Sequence, residues 1–416
     1  MVALSGAARP ALSRLEPSRT AIVHDWLPVY AGAERVLEQM IAVLPEADLH
    51  SLIEFLPDDQ RAFLGGREVT TSFIQRLPFA RKGYRNYLPF TPLAIEQFDL
   101  TSYDLVLSSS YVVAKSVLTF ADQLHVSYVH SPIRYAWDLQ FQYLREGGLE
   151  RGLKGKLARL ILHYMRTFDA ATADRPDLYV ANSHYVAQRI RKLYRRPAAV
   201  VHPAVNVERF TVGYDRDDYY CTCSRLVPYK KIRLIVEAFA QLPGKRLVVV
   251  GDGPEMSRLK SIATPNVELL GHQPQEVLEA TLRGARAFVF AALEDFGIAP
   301  VEAQACGTPV IAYGRGGALE TVRENETGIF FDQQTPEAIV AAISRFEKDA
   351  DRFDPDAIRA HAETFAAERF RTRLADLLDS AWTSFVRDGD AEQVLRSPSQ
   401  LPSLLRTPSD ALPSLS

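Results

Sequence analysis

The 416-residue chain is short of cysteine, of long apolar runs and of net charge. Its three cysteines, Cys221, Cys223 and Cys306, are too few for a disulfide framework. Cys221 and Cys223 alternate within the run Tyr219 to Ser224, which puts both on one face of an expected strand as buried thiols. No Cys/His partner stands at ligand spacing, and the nine histidines are scattered without H-E-x-x-H, so no metal site is expected. No run approaches the roughly 18 apolar residues of a membrane-spanning helix. The N-terminal stretch lacks the apolar core of a signal peptide, and the chain reads as cytoplasmic. Lys and Arg number 48 against 51 Asp and Glu, a formal charge of −3 that argues against a generic nucleic-acid binder. A G-x-S-x-G nucleophile elbow and a Walker phosphate loop are also missing.

What is present is apolar material, 47% of the chain, enough for two or three domains at about 100–200 residues each. Short apolar runs alternate with amphipathic segments. In the first half AIVHDW (21–26), DLVLSS (104–109), HVSYVH (125–130) and LYVANS (178–183) read as buried strands. In the second half YYCTCS (219–224), RLVVVG (246–251), VELLG (267–271), AFVF (287–290), TPVIAY (308–313) and GIFF (328–331) do so. Helical candidates such as 232–242 and 335–348 follow, and the alternation predicts an α/β chain with parallel sheets covered on both faces. The boundary falls in the Pro203-containing stretch 201–208. The expected division is 1–18 disordered, 19–203 and 204–365 as two Rossmann-like domains, 366–390 as a helix packing back toward the first, and 391–416 as a disordered Ser/Pro/Leu tail. Ligands of open α/β sheets bind beyond the carboxyl ends of the strands, so two such domains facing each other make a cleft for two substrates.

Charge is unevenly placed. Residues 151–200 carry 11 Lys/Arg against Asp169, Asp174 and Asp177. Segment 76–90 interleaves Arg76, Arg81, Lys82 and Arg85 with Phe79, Tyr84, Tyr87 and Phe90. Such mixtures suit an anionic membrane surface or a phosphate-rich acceptor, and equally describe solvated helix faces over core aromatics.

Four elements carry chemistry. Glu294-Asp-Phe-Gly-Ile-Ala-Pro-Val-Glu302 follows a strand, with Pro300 suited to a first helical turn, Glu302 expected in that turn and a helix end near Cys306. The N–H groups of Phe296, Gly297 and the helix start can meet an anion or a sugar, and the carboxylates can accept from hydroxyls. Taken alone, the pair also describes a cap and a solvated face. Ser224-Arg225 to Lys230-Lys231 puts a guanidinium and an ammonium five positions apart on a strand-to-helix loop, a clamp for a diphosphate. LVVVGDGPE (247–255) lacks the third glycine of a dinucleotide fingerprint and reads as a flexible turn beside the cleft. Gly314-Arg-Gly316-Gly317 is another turn open to close approach by phosphate. His24-Asp25-Trp26 ends a strand and is placed either on the acceptor side or as a plain polar strand end.

Taken in order, SRLVPYKK, VVVGDGPE, LGHQP and EDFGIAPVEAQACGTPVIAYGRGGALETV resemble the retaining GT-B glycosyltransferases of family 4 (glycosyltransferase group 1). HDWLPVYAGAERVLE and VSYVHSPIRYAWD extend the resemblance over about residues 20–387, closest to bacterial O-antigen and exopolysaccharide mannosyltransferases. The resemblance implies a GT-B fold, two Rossmann-like domains facing across a cleft. It implies that Arg225 and Lys230 hold the donor diphosphate, Glu302 the ribose hydroxyls, and Glu294 with the Phe296 and Gly297 backbone the donor sugar. Gly271 would lie near the nucleobase, Gly32 would approach the diphosphate and acceptor, and His130 matches the family's active-site histidine. Two departures stand out: Ala31 where the family often has a first glycine, and Lys231 where many members have glycine.

The function so implied is retaining transfer of a hexosyl group from a nucleotide sugar, GDP-mannose by resemblance only. The acceptor would be a polyprenyl-diphosphate-linked saccharide or polysaccharide at the cytoplasmic membrane face, reached by peripheral contact, with no required cofactor or divalent ion. A GT-B-like nucleotide-sugar epimerase or phosphorylase and a non-catalytic sugar- or lipid-binding scaffold are the alternative classes.

Overall fold

A computed structural model describes residues 19–396. The ends expected to be disordered, 1–18 and 397–416, lie outside the described residues. Residues 391–396, expected within the loose tail, instead carry a helical turn at Gln393–Arg396, with Ala391 and Val394 buried. The described residues divide into two compact units, 19–202 with 370–396, and 203–369.

The first unit is built on a sheet of β1 (Thr20–His24), β2 (Asp48–Ser51), β3 (Val69–Thr71), β4 (Leu105–Ser110), β5 (Leu124–Val129), β6 (Leu178–Ala181) and β7 (Ala199–Val200). Its order is β3-β2-β1-β4-β5-β6-β7, every pair parallel. The central β4 and β5 are buried at every residue, as a parallel strand covered on both faces must be. β2, β3 and β7 escape a reading by apolar runs. They are two to four residues long, β2 and β3 are partly polar, and pairing with a neighbour already in place makes them strands. From Phe370 on, the helix Ala367–Asp388 belongs to this unit, with the Phe370 ring edge-on to Tyr128.

A buried ion pair anchors the unit. Lys115, 1% exposed, lies 3.2 Å from Asp169 and also donates to the Asp169 carbonyl and the Thr172 hydroxyl. Asp169 further accepts from the Trp137 indole and the Tyr194 hydroxyl. Burial pulls the Lys115 ammonium below its ordinary pKa.

The second unit holds β8 (Tyr219–Cys223), β9 (Arg246–Val250), β10 (Val267–Gly271), β11 (Ala287–Phe290), β12 (Val310–Tyr313) and β13 (Gly328–Phe331). The order is β10-β9-β8-β11-β12-β13, again all parallel. Alternate residues feed two cores. Tyr220, Leu247, Val249, Val289 and Ile311 pack with Ile235, Phe239, Ile343 and Phe346 of the helices Ile232–Ala240 and Pro336–Lys348. Cys221, Val248, Val250, Phe288 and Val310 pack on the other face with Val301, Ala305 and Phe365. Cys221 and Cys306 are buried there, and burial pushes the Cys306 thiol up to about 12. Cys223 corrects the expectation of two buried thiols, being only half-buried at the strand end. The expected amphipathic region 356–386 is two helices, Pro355–Glu363 and Ala367–Asp388, parted where Val205 bridges Ala366.

Candidate functional site

In each unit the strand order reverses direction between two central strands, β1 and β4 or β8 and β11. The loops leaving these strands diverge to opposite faces and leave a crevice at their carboxyl ends, where ligands of such sheets bind. Most of the sequence-predicted residues sort onto these two points, and Gly271 ends the edge strand β10, two strands from β8.

In the second unit the chain leaves β8 through 224–227, forms a single turn at Pro228–Lys230 and enters the helix Ile232–Ala240. Arg225 is exposed. Lys230 Nζ pairs with the Glu294 carboxylate on the loop after β11, so the reversal is spanned by one ion pair between residues 64 positions apart. Both side chains are largely buried. Lys231 has φ 59° and ψ 24°, the left-handed region. That conformation gives a physical reason for a glycine at this position, and it turns the Lys231 backbone into the helix start.

The glycine motifs do different work from that expected. Gly251 has φ +135°, and a Cβ there would sit 1.9 Å from the Ser224 carbonyl oxygen. Ser224 N–H donates to Val250 and Leu226 N–H to Asp252, so the turn is clamped to the Arg225 loop rather than flexible. Gly251 N–H in turn donates to the carbonyl of Gly271, at the end of β10. Gly317 donates to the Glu294 carbonyl at 2.9 Å, and a Cβ on it would meet Phe296 Cα at 2.3 Å. Its turn therefore supports the Glu294–Gly297 loop and is closed to phosphate on that side. The Phe296 ring is buried edge-on to Phe365, which leaves its backbone as the part that can face a ligand. Gly297 precedes the helix Ile298–Ala305, and Glu302 is the fifth residue of that helix, in the second turn rather than the first.

In the first unit the strand ends carry a chain of polar side chains. His24 ends β1, Ser109 lies in β4 and His130 follows β5. Ser109 Oγ lies 2.9 Å from His24 Nδ1 and 2.8 Å from His130 Nε2. His24 Nε2 faces Glu34 Oε1 at 3.5 Å, an ionic contact longer than a hydrogen bond. The other oxygen of Glu34 accepts the N–H of Ala31 at the start of the helix Gly32–Val43. A ring nitrogen facing a carboxylate carries its proton. His24 Nδ1 then accepts from the Ser109 hydroxyl, and the Ser109 oxygen accepts from His130 Nε2–H. His130 is left with Nδ1 as its acceptor. Burial pushes the His130 pKa down to about 3, which keeps the ring neutral.

Ala31 has φ −137°, ordinary extended backbone, so alanine costs nothing where the family often has glycine. Gly32 is the first residue of its helix. Asp25 is not available to an acceptor: its two oxygens take the backbone N–H groups of Tyr111, Val112, Val113 and Ala114 at 2.6–2.8 Å. Burial raises its pKa, and these donors pull the other way. Trp26 is buried in the core beside Tyr84. Sequence reasoning missed Ser109 and Glu34. Ser109 sits unmarked in a serine run, whereas Glu34 is signalled as the third residue of a helix after an exposed loop.

The fold and the ordered strand-end motifs define a two-unit GT-B protein. Two sequence families match in tandem, Glycosyltransferase Family 4 over residues 30–209 and Glycosyl transferases group 1 over residues 206–363. The chain belongs to the GT-B glycosyltransferases of family 4. Among curated relatives it is 32% identical over 187 residues to a D-inositol 3-phosphate glycosyltransferase of Mycobacterium sp. (strain KMS), covering 38% of this chain and 42% of the relative. It is 31% identical over 238 residues to the GDP-mannose-dependent alpha-(1-6)-phosphatidylinositol monomannoside mannosyltransferase of Mycolicibacterium smegmatis, covering 49% and 62%. The match thus spans less than two thirds of these relatives' own length. Among solved structures, Anabaena HepE in complex with UDP aligns with a TM-score of 0.64 at 17% identity over 87% of this chain and 100% of that one. Sucrose-phosphate synthase from Thermosynechococcus elongatus aligns with 0.65 at 17% over 88% and 100%.

Proposed function

We propose that the protein is a retaining glycosyltransferase that moves a hexosyl group, mannose from GDP-mannose in the preferred reading, onto a lipid-linked or polysaccharide glycan. The Lys230–Glu294 pair across the β8/β11 reversal carries the reading, because it joins a phosphate-binding cation to a hydroxyl-binding carboxylate at one point. A nucleotide sugar needs those two chemistries side by side. Arg225 and Lys230 take the charge that develops on the departing diphosphate, the role a divalent ion has in other transferases. The Phe296 and Gly297 backbone adds N–H donors, Glu302 takes the ribose hydroxyls, Gly271 borders the nucleobase and Glu294 orients the sugar. In the reaction the bond from the anomeric carbon to the diphosphate breaks and a bond to the acceptor oxygen forms on the same face. The acceptor proton passes to a donor phosphate oxygen. His130, neutral with Nδ1 as acceptor, holds a sugar hydroxyl, and Gly32 lets the backbone come close to the diphosphate.

GDP-mannose is favoured by the name of the mycolicibacterial relative, itself a mannosyltransferase. The acceptor class rests on the basic–aromatic segment 76–90 and the same family likeness. The test is a thermal-shift screen of GDP-, UDP-, ADP- and TDP-sugars, since a ligand that binds only the native state raises its melting temperature. Transfer assays follow with the donor so found, with and without chelator. Glu294→Ala and Lys230→Ala should each abolish transfer in a folded protein, and wild-type turnover from either would remove the assignment. Donor conversion without any acceptor would point to an epimerase instead.

A further inference from the structure

The helix Gly152–Ala171 presents two apolar faces where a surface helix needs one. Its inner face places Leu162 and Met165 in the core of the first unit, with Ala158, Ile161 and Phe168 against it. On the outside Leu153, Leu157, Leu160 and Tyr164 are 83, 56, 64 and 45% exposed. Their spacing of four, three and four residues makes one continuous stripe along the helix. Exposed Arg151, Lys154 and Lys156 flank it. Within the helix no acidic residue occurs before Asp169, which is already held by buried Lys115, and exposed Glu150 stands just ahead of its start.

A second feature of the same unit has the same character. Phe79 is 86% exposed and has φ 59°, a conformation bulky side chains avoid. The Phe79 carbonyl caps the next turn, accepting from the N–H groups of Lys82 and Gly83, and the ring is left in solvent. Tyr87 donates to the Pro78 carbonyl and fixes the tip, and Arg76, Arg81 and Lys82 around it are exposed. The short helix Tyr84–Phe90 that follows packs against the helix Gly152–Ala171.

We propose that this face of the first unit, the Leu153–Tyr164 stripe with the Phe79 tip, docks on an anionic bilayer. Charge complementarity selects that partner. Apolar side chains flanked by Arg151, Lys154 and Lys156, which outnumber the one neighbouring acid, Glu150, match acyl chains beneath negatively charged headgroups. A protein partner would need an apolar strip of matching length edged by acids, whereas an anionic bilayer offers both chemistries all along the stripe. The proposal deepens the lipid-linked acceptor reading by giving the surface that would bring the protein to that acceptor, but vesicle binding is measured without donor or acceptor and stands or falls separately.

The experiment is co-sedimentation of the full chain with phosphatidylcholine vesicles, with and without one third phosphatidylglycerol. Binding should require phosphatidylglycerol and weaken in high salt. L157E/L160E, at exposed positions, should lower the bound fraction constant at least about tenfold. K154E/K156E should weaken binding in the same direction, and F79S should do so without touching the helix. Unchanged melting temperatures and donor-induced thermal shifts would show that the variants stay folded. Wild-type vesicle binding by L157E/L160E, or no wild-type preference for phosphatidylglycerol, overturns the proposal. So does a chain that self-associates in solution and is made monomeric by L157E/L160E, since the stripe would then be a contact between copies.

Discussion

Ser109→Ala tests the polar chain at the β1/β4 reversal. The hydroxyl is fully buried and makes two hydrogen bonds, 2.9 Å to His24 and 2.8 Å to His130. Removing it loses about 1 kcal/mol of net stabilisation per bond and leaves buried imidazole nitrogens without partners, at about 1–3 kcal/mol where desolvation is complete. His130 is partly exposed, so its nitrogen can recover water, which puts the total at roughly 2–4 kcal/mol. In a unit of this size that lowers the melting temperature by about 4–16 °C. Stability alone would not separate a structural serine from one that sets a tautomer. Nitrogen-15 shifts of labelled histidine should therefore show His130 as the Nε2–H form in the wild type and as a mixture in Ser109→Ala. With a donor identified, turnover should fall while donor binding persists, and Ser109→Thr should recover part of both. A variant within about 0.5 kcal/mol of the wild type, with the His130 tautomer unchanged, would refute this proton arrangement.

Three further outcomes follow from the packing. Gly251→Ala drives a Cβ into the Ser224 carbonyl and demands a left-handed backbone, so it should destabilise the second unit by more than about 1 kcal/mol and abolish donor-induced thermal shifts by displacing the Arg225 loop. Lys115→Met leaves Asp169 buried without its cation and should cost about 3–5 kcal/mol in denaturant unfolding; the further change Asp169→Asn should restore part of the loss. His125, fully buried, has its pKa pushed by burial from the ordinary 6.5 down to about 3. Between those values the unfolded chain takes up a proton that the folded chain refuses. The stabilising preference for neutral imidazole is therefore kept above pH 6.5 and lost on acidification, by about 1.4 kcal/mol per pH unit from this residue. His125→Leu should flatten the acid limb of the stability curve, and an equal slope in both proteins would contradict the burial argument.

The second unit was more legible in the sequence than the first. Its apolar runs are bounded by turns, and VELLG, AFVF and GIFF coincide with β10, β11 and β13 residue for residue. In the first unit β2, with the sequence DLHS, offers no local pattern, because its stability comes from β1 on one side and β3 on the other. The four second-unit motifs were visible as motifs, and their roles were only partly so. Glycines that looked available to phosphate are filled by neighbouring loops. A sequence shows that a glycine is there, not which backbone will come within 2 Å of its Cβ position. The role of Asp25 was hidden for a similar reason, since its four N–H partners lie 86 to 89 positions away.

Local chemistry and short-range pattern were enough to determine an α/β chain and to mark 225–230 and 294–302 as segments that leave a strand and enter a helix, because period and turn residues act over a few positions. Only the tertiary structure decided that β8 and β11 are neighbours with Lys230 against Glu294, that Ser109 joins two histidines from different strands, and that the outer leucines of the helix Gly152–Ala171 face solvent. Strand order and helix docking are set by burial of the whole core, a sum over contacts far apart in the chain that no local window contains.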